Sequence, residues 1–134
     1  MTIVYAIEDA VTADEFVDVL QRSGLAERRP VDEPRRIAAM LEHGNLVVAA
    51  RDGTKLVGVA RSLTDFSYCC YLSDLAVDRD YQRQGVGRRL IDETRRAVGP
   101  DSMVLLLAAP KAMSYYPHIG MTKIDNAFLY PRKV

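Results

Sequence analysis

Gly85 and Gly87 stand with one residue between them where a strand-like run gives way to a helical one, with Arg83 and Arg88 on either side. These residue types at this spacing can hold an anion. The first amides of a helix have no partner within it, and the aligned peptide dipoles place partial positive charge there. Glycine removes the side chains that would keep a phosphate away from those amides. Arg83 and Arg88 add charge-assisted bonds to the same anion. A tight turn whose glycines only relieve strain accounts for a bare G-x-G equally well. Two other phosphate loops fit less well. The Gly-Lys-Ser/Thr of a Walker loop is absent, and Leu90 stands where a dinucleotide fingerprint wants a third glycine or alanine.

The glycines need a strand before them and a helix after them, and the pattern provides both. Residues 71–77 read as the end of a strand that begins near Tyr68. From Val86 the apolar residues Val86, Leu90, Ile91, Thr94, Ala97 and Val98 fall on one helical face, and Gly99-Pro100 stops the helix. Upstream, residues 2–7 read as a first strand. Thr12-Ala13-Asp14-Glu15 is a capping-box pattern that opens a helix running to Gly24. Pro34 starts a second helix that ends at Gly44-Asn45, and residues 46–50 and 56–63 flank the hairpin signal Asp52-Gly53. Downstream, the nearly all-apolar residues 103–108 predict a buried strand parallel to its predecessor. Ala109-Pro110 opens a last helix closed by Gly120, and residues 122–130 read as a final strand bent at Asp125-Asn126.

The chain of 134 residues, 49% hydrophobic, reads as one domain, residues 1–134, with material for a core. Eighteen basic and eighteen acidic residues cancel, so no overall field attracts nucleic acid or an anionic membrane. No apolar run approaches the ~20 residues that cross a bilayer, and the N-terminus shows no secretion signal. Cys69 and Cys70 are neighbours, which suits neither a disulfide nor a metal site. A cytoplasmic protein with no metal is the expectation.

Gln82-Arg83-Gln84-Gly85-Val86-Gly87 resembles the Q/R-x-x-G-x-G/A signature of the GNAT N-acetyltransferase superfamily, and Asp74 to Val77 and Arg88 to Ile91 resemble its flanks. The order β-α-α-β-β-β-α-β-α-β resembles that superfamily along nearly the whole chain. The resemblance implies an α/β fold with a mixed, twisted sheet of about six strands and helices on both faces. Members end in a β hairpin for which little chain remains after Gly120, so the last strand is expected to be short, missing or supplied by a partner. The implied activity is transfer of an acetyl group from acetyl-CoA to a primary amine of a small molecule or peptide, by direct attack in a ternary complex. A non-catalytic acyl-CoA-binding or regulatory module of the same fold is the alternative. Members often pair, which leaves a homodimer open.

The resemblance also implies roles. Backbone groups of Leu75, Ala76 and Val77 would hold the donor where the fourth and fifth strands splay, and would bond the thioester oxygen as it gains charge. The donor's phosphates would fall on Gln82, Arg83, Gln84, Gly85, Val86, Gly87 and Arg88. Tyr115-Tyr116-Pro117-His118-Ile119-Gly120-Met121 resembles the family's F/Y-Y-x-x-x-G-F segment. Tyr116 aligns with the tyrosine usually cast as the acid that protonates the leaving thiolate, a task for which a phenol near 10 is well matched. Tyr115 is read as packing. Asp74 is the candidate base, against a structural reading as a strand anchor, and a water chain with no dedicated base is a further option. Asp32, Glu33, Asp65, Phe66 and Tyr68 lie in regions that shape acceptor pockets in this fold, and they would suit a cationic amine.

Overall fold

The computed structural model describes residues 2–133. Strands β1 (Ile3–Ile7), β2 (Leu46–Asp52), β3 (Lys55–Thr64) and β4 (Cys70–Val77) form one sheet in sequence order. Every pairing is antiparallel. Helices α1 (Ala13–Ser23) and α2 (Pro34–His43) precede β2, α3 (Val86–Val98) follows β4, and α4 (Tyr115–His118) is a single turn. Two cores lie on opposite faces of the sheet. Val86, Leu90, Ile91 and Val98 of α3 pack with Leu46, Val48, Ala50, Cys70 and Leu72. Phe16, Val19, Leu20 and Ile37 of α1 and α2 pack with Val47, Ala49, Val59 and Ala76. Burying Leu90 and Ile91 contributes on the order of 1.5–3 kcal/mol each. Helices on both faces are thus observed.

The sheet is neither mixed nor six-stranded. Residues 103–108 were expected as a buried parallel strand. They make one parallel bridge, Tyr71 to Leu105, with Leu105 N–H donating to Cys70 O at 2.9 Å and Leu72 N–H donating to Leu105 O at 2.8 Å. Met103 and Leu107 are more than half exposed, so an apolar run that read as interior is only half covered. The expected last helix is broken into a 3-10 turn, Pro110–Ala112, and the single turn α4. Pro117 has no N–H to give to Met113 O, which separates this turn from the 3-10 segment before it, and the left-handed Gly120 (φ 98°) ends it. Residues 122–130 form no strand. Phe128 is 98% exposed and Tyr130 101%, so nothing lies beside them to complete a ladder or cover a face.

Two features aim the elements at the glycine loop. A Cβ at Gly58 of β3 would stand 3.0 Å from Leu90 Cδ1 and 3.1 Å from Val86 Cγ1, so the bare glycine lets the first turn of α3 press against the sheet. In β4, Leu72 pairs with Ser62 and Asp74 with Arg61, which leaves Ser73 as an inserted residue. The bulge reverses the alternation. Cys70 and Leu72 face α3, whereas Ala76 faces α1 and α2, and Leu75 and Val77 take over the α3 face.

Candidate active site

β4 is the last strand of the sheet, and beyond Leu72 no strand lies along its outer edge among the described residues. Asp78 N–H donates to Val57 O at 2.8 Å, toward β3. Alternation then turns the backbone groups of Leu75 and Val77 the other way, onto the open edge, and those of Ala76 toward β3. Val77 O is met there by Gln82 Nε2 at 3.0 Å. Of the three backbone positions expected to hold a donor, two face outward and Ala76 does not. Gln82 braces the loop through its side chain, and Gln84 Nε2 reaches Asp80 O at 3.4 Å.

The loop enters α3 through two left-handed residues, Arg83 (φ 64°) and Gly85 (φ 81°). Gly85 is the N-cap and contributes no side-chain bond, and no acidic residue sits in the first turn. Arg89 N–H reaches Gly85 O at 3.0 Å. The amides of Val86, Gly87 and Arg88 precede the first intrahelical bond, so the helix itself supplies them no acceptor. Arg83 and Arg88 are exposed beside them. Gly87 is where the parts converge. A Cβ there would lie 3.1 Å from the Tyr115 hydroxyl and 3.7 Å from Val77 Cγ2. This is a narrow cradle beside an open strand edge, and its fit to a diphosphate with an extended arm rests on that bare Gly87.

Tyr116 is half-buried against the α3-side core, and burial pushes its phenol up from its ordinary value, with Tyr115 adding to the rise. The group therefore holds its proton at neutral pH. Tyr115 and Tyr116 meet edge to face with ring centroids 5.3 Å apart. Tyr115, read from the sequence as packing, also places its hydroxyl at the cradle. The only sequence signal for that was its adjacency to Tyr116.

Asp74 lies elsewhere. Its side chain is 0% exposed on the α1–α2 side of the sheet, and both carboxylate oxygens accept from guanidinium groups, one from Arg29 Nε and one from Arg61 Nε. Arg29 Nη2 also donates to Ser73 O at 2.8 Å, and Arg61 Nη1 to Met40 O at 2.9 Å. The network ties the segment after α1, the end of α2 and β3 to the bulge. The structure therefore puts the two expected catalytic side chains, Tyr116 and Asp74, on opposite faces. Sequence reasoning found the carboxylate and missed the arginines that hold it.

In the loop between β3 and β4, Asp65 accepts from the backbone N–H groups of Ser67, Tyr68 and Cys69, which lower its carboxyl to about 2. Phe66 is left-handed there, with φ 57°, and half exposed. No helix among the described residues is long and apolar enough to cross a membrane.

The family described as "Acetyltransferase (GNAT) domain" matches residues 16–129. An uncharacterized N-acetyltransferase, ycf52, of Porphyra purpurea is 27% identical over 117 residues, covering 78% of this chain and 64% of its own length. The Arabidopsis thaliana protein GCN5-related N-acetyltransferase 2, chloroplastic, is 27% identical over 146 residues, covering 87% of this chain and 56% of its own. The chain thus spans about three-fifths of the length of these relatives. Among solved structures, the GNAT family protein SP0256 of Streptococcus pneumoniae superposes with a TM-score of 0.74 at 20% identity, over 99% of this chain and 100% of that one. SA2161 of Staphylococcus aureus gives 0.80 at 18% identity, over 98% and 99%. These likenesses establish the fold. With the profile matching most of its length, the chain belongs to the GNAT acetyltransferase domain family.

Proposed function

We propose that the chain is an acetyl-CoA-dependent N-acetyltransferase that acts in the cytoplasm on a primary amine of a small molecule or peptide, in a ternary complex. The observation that carries this reading is the start of α3, a helix end with no side-chain cap, two glycines and arginines where a lone helix favours acids. The amides of Val86, Gly87 and Arg88 would hold the diphosphate, with Arg83 and Arg88 adding charge. The outward backbone of Leu75 and Val77 would hold the arm, and a Leu75 or Val77 N–H would bond the carbonyl oxygen as negative charge develops on it. Acetyl-CoA supplies the activated acyl group.

In this reading the amine nitrogen bonds to the acyl carbon as the carbon–sulfur bond breaks. The sulfur takes the Tyr116 phenol proton, and the amine gives its own proton to water. Asp74, held by two guanidinium groups, serves as the clamp of the β4 bulge and not as a base. Asp65, Phe66 and Tyr68 flank the far end of β4 and suit a cationic acceptor. A second copy of the chain would cover Phe128, Leu129 and Tyr130, which stand in solvent.

Binding comes first in the test. Acetyl-CoA at ~100 times its dissociation constant should add about 2.7 kcal/mol to the folded state, seen as a thermal shift that an unrelated nucleotide does not give. An amine panel read by thiol release then separates an enzyme from a module that only binds acyl-CoA. Tyr116→Phe should lower turnover by roughly 10²- to 10⁴-fold and leave CoA affinity unchanged. Full turnover in that variant, where chemistry limits the rate, removes Tyr116 from the acid role.

A further inference from the structure

The proposed chemistry gives Tyr115 no task, yet its hydroxyl stands at the cradle. A Cβ on Gly87 would lie 3.1 Å from the phenol oxygen and 3.9 Å from Cζ. Gly87 is the second residue of α3, so the oxygen sits over the same first-turn amides that an incoming phosphate would seek. Burial pushes the phenol up from its ordinary value, while the Arg88 guanidinium and the Arg88 backbone amide pull it down. The ring arrives there from α4, a single turn closed by Ile119 N–H on Tyr115 O at 3.2 Å and Gly120 N–H on Pro117 O at 3.1 Å. So short an element, with proline inside it and few neighbours around it, can shift at modest cost.

We propose that the Tyr115 hydroxyl is a placeholder for phosphate. It occupies the Gly87–Arg88 end of the cradle in the ligand-free chain, and the diphosphate of the donor displaces it. The inference rests on the acetyl-CoA reading above and goes one step further, because it links the cradle to the proton donor. Tyr115 and Tyr116 are consecutive on α4, and their rings touch at 5.3 Å with an interplanar angle of 73°. Displacing the first moves the second. Tyr116 then takes its place for proton delivery only when the cradle is filled, which makes Tyr115 a positioning residue. The same contact lowers affinity, since only chains with the phenol withdrawn can bind, and the apparent dissociation constant rises in proportion.

Tyr115→Phe removes the oxygen and keeps the ring against Tyr116. Calorimetric titration of the full chain with CoA should give a dissociation constant lower than wild type by roughly two- to tenfold, the worth of one displaced polar contact. Pantetheine, which carries the arm without phosphates, should bind both proteins alike. Tyr115→Leu provides the same comparison should the first variant fold poorly. Equal CoA affinity in wild type and variant overturns the placeholder while leaving the acetyl-CoA reading intact. Weaker binding in the variant overturns it as well, by making the phenol a direct phosphate ligand. A wild-type chain that binds no CoA removes both readings together.

Discussion

At the start of α1, Thr12 Oγ1 accepts from Glu15 N–H at 3.1 Å, and Glu15 Oε1 accepts from Thr12 N–H at 3.2 Å. Arg51 Nη1 then grips Glu15 at 2.7 Å, and that bond is the first cause holding the Glu15 carboxyl below its ordinary range. Asp14 and Glu15 also set negative charge on the positive end of the helix dipole. The start of α3 has none of this. Its cap is Gly85, its first turn has no acid, and Arg88 and Arg89 follow. Both helices face the same shortage of acceptors. One is finished by its own side chains and the other is left for something to finish. The charge placement at α3 costs that helix a few tenths of a kcal/mol or more when alone, which makes sense when an anion arrives from outside.

The largest effect should come from the platform that carries both ends. Asp74 joins Arg29, just beyond α1, to Arg61 and the β4 bulge that leads toward α3. Asp74→Asn removes the charge that two half-buried or buried guanidinium groups share. It should cost about 3–5 kcal/mol of unfolding free energy in denaturant titrations. A base role predicts the reverse, lost turnover with stability intact, and that result would end the clamp assignment. The next effect belongs to α3 alone. Gly87→Ala sets a methyl 3.1 Å from the Tyr115 oxygen, over the open amides. CoA affinity should fall at least tenfold, about 1.4 kcal/mol. Stability should stay within about 1 kcal/mol, because alanine is a better helix former than glycine while the contact opposes it. Loss of affinity without loss of fold is what an unfinished helix end predicts.

The contrast between the two helix starts was legible in the sequence because each is a local pattern. Thr12 and Glu15 are three residues apart, and Gly85 and Gly87 two. The hairpin at Asp52-Gly53 was legible for the same reason, and Gly53 is left-handed there with φ 62°. What failed was non-local. The Ser73 bulge depends on how β4 meets β3, and the partners of Asp74 lie 45 and 13 residues away along the chain. Apolar content alone misled at residues 103–108, where one parallel bridge stands in place of a strand. At residues 122–130, strand propensity was not matched by any pairing, and Phe128, Leu129 and Tyr130 stand in solvent. Tyr115 was assigned to packing because helical spacing says nothing about which neighbour a hydroxyl reaches.

Thr12→Ala carries the smallest effect and completes the comparison. The substitution removes the Oγ1 that accepts from Glu15 N–H, and with it half of the capping box. Glu15 keeps Arg51, which also holds Glu8 at 2.8 Å, so α1 stays seated on the sheet. The cost should be about 1 kcal/mol, within the roughly 0.5–2 kcal/mol seen when such caps are lost. It should appear as a lower denaturant midpoint with the slope unchanged. CoA affinity should not move, since α1 lies across the sheet from α3 and none of its capping groups reaches the glycine loop. An affinity change as large as that of Gly87→Ala would mean that the two helix ends are coupled through the sheet. In that case the open end of α3 could not be treated as a separate binding element.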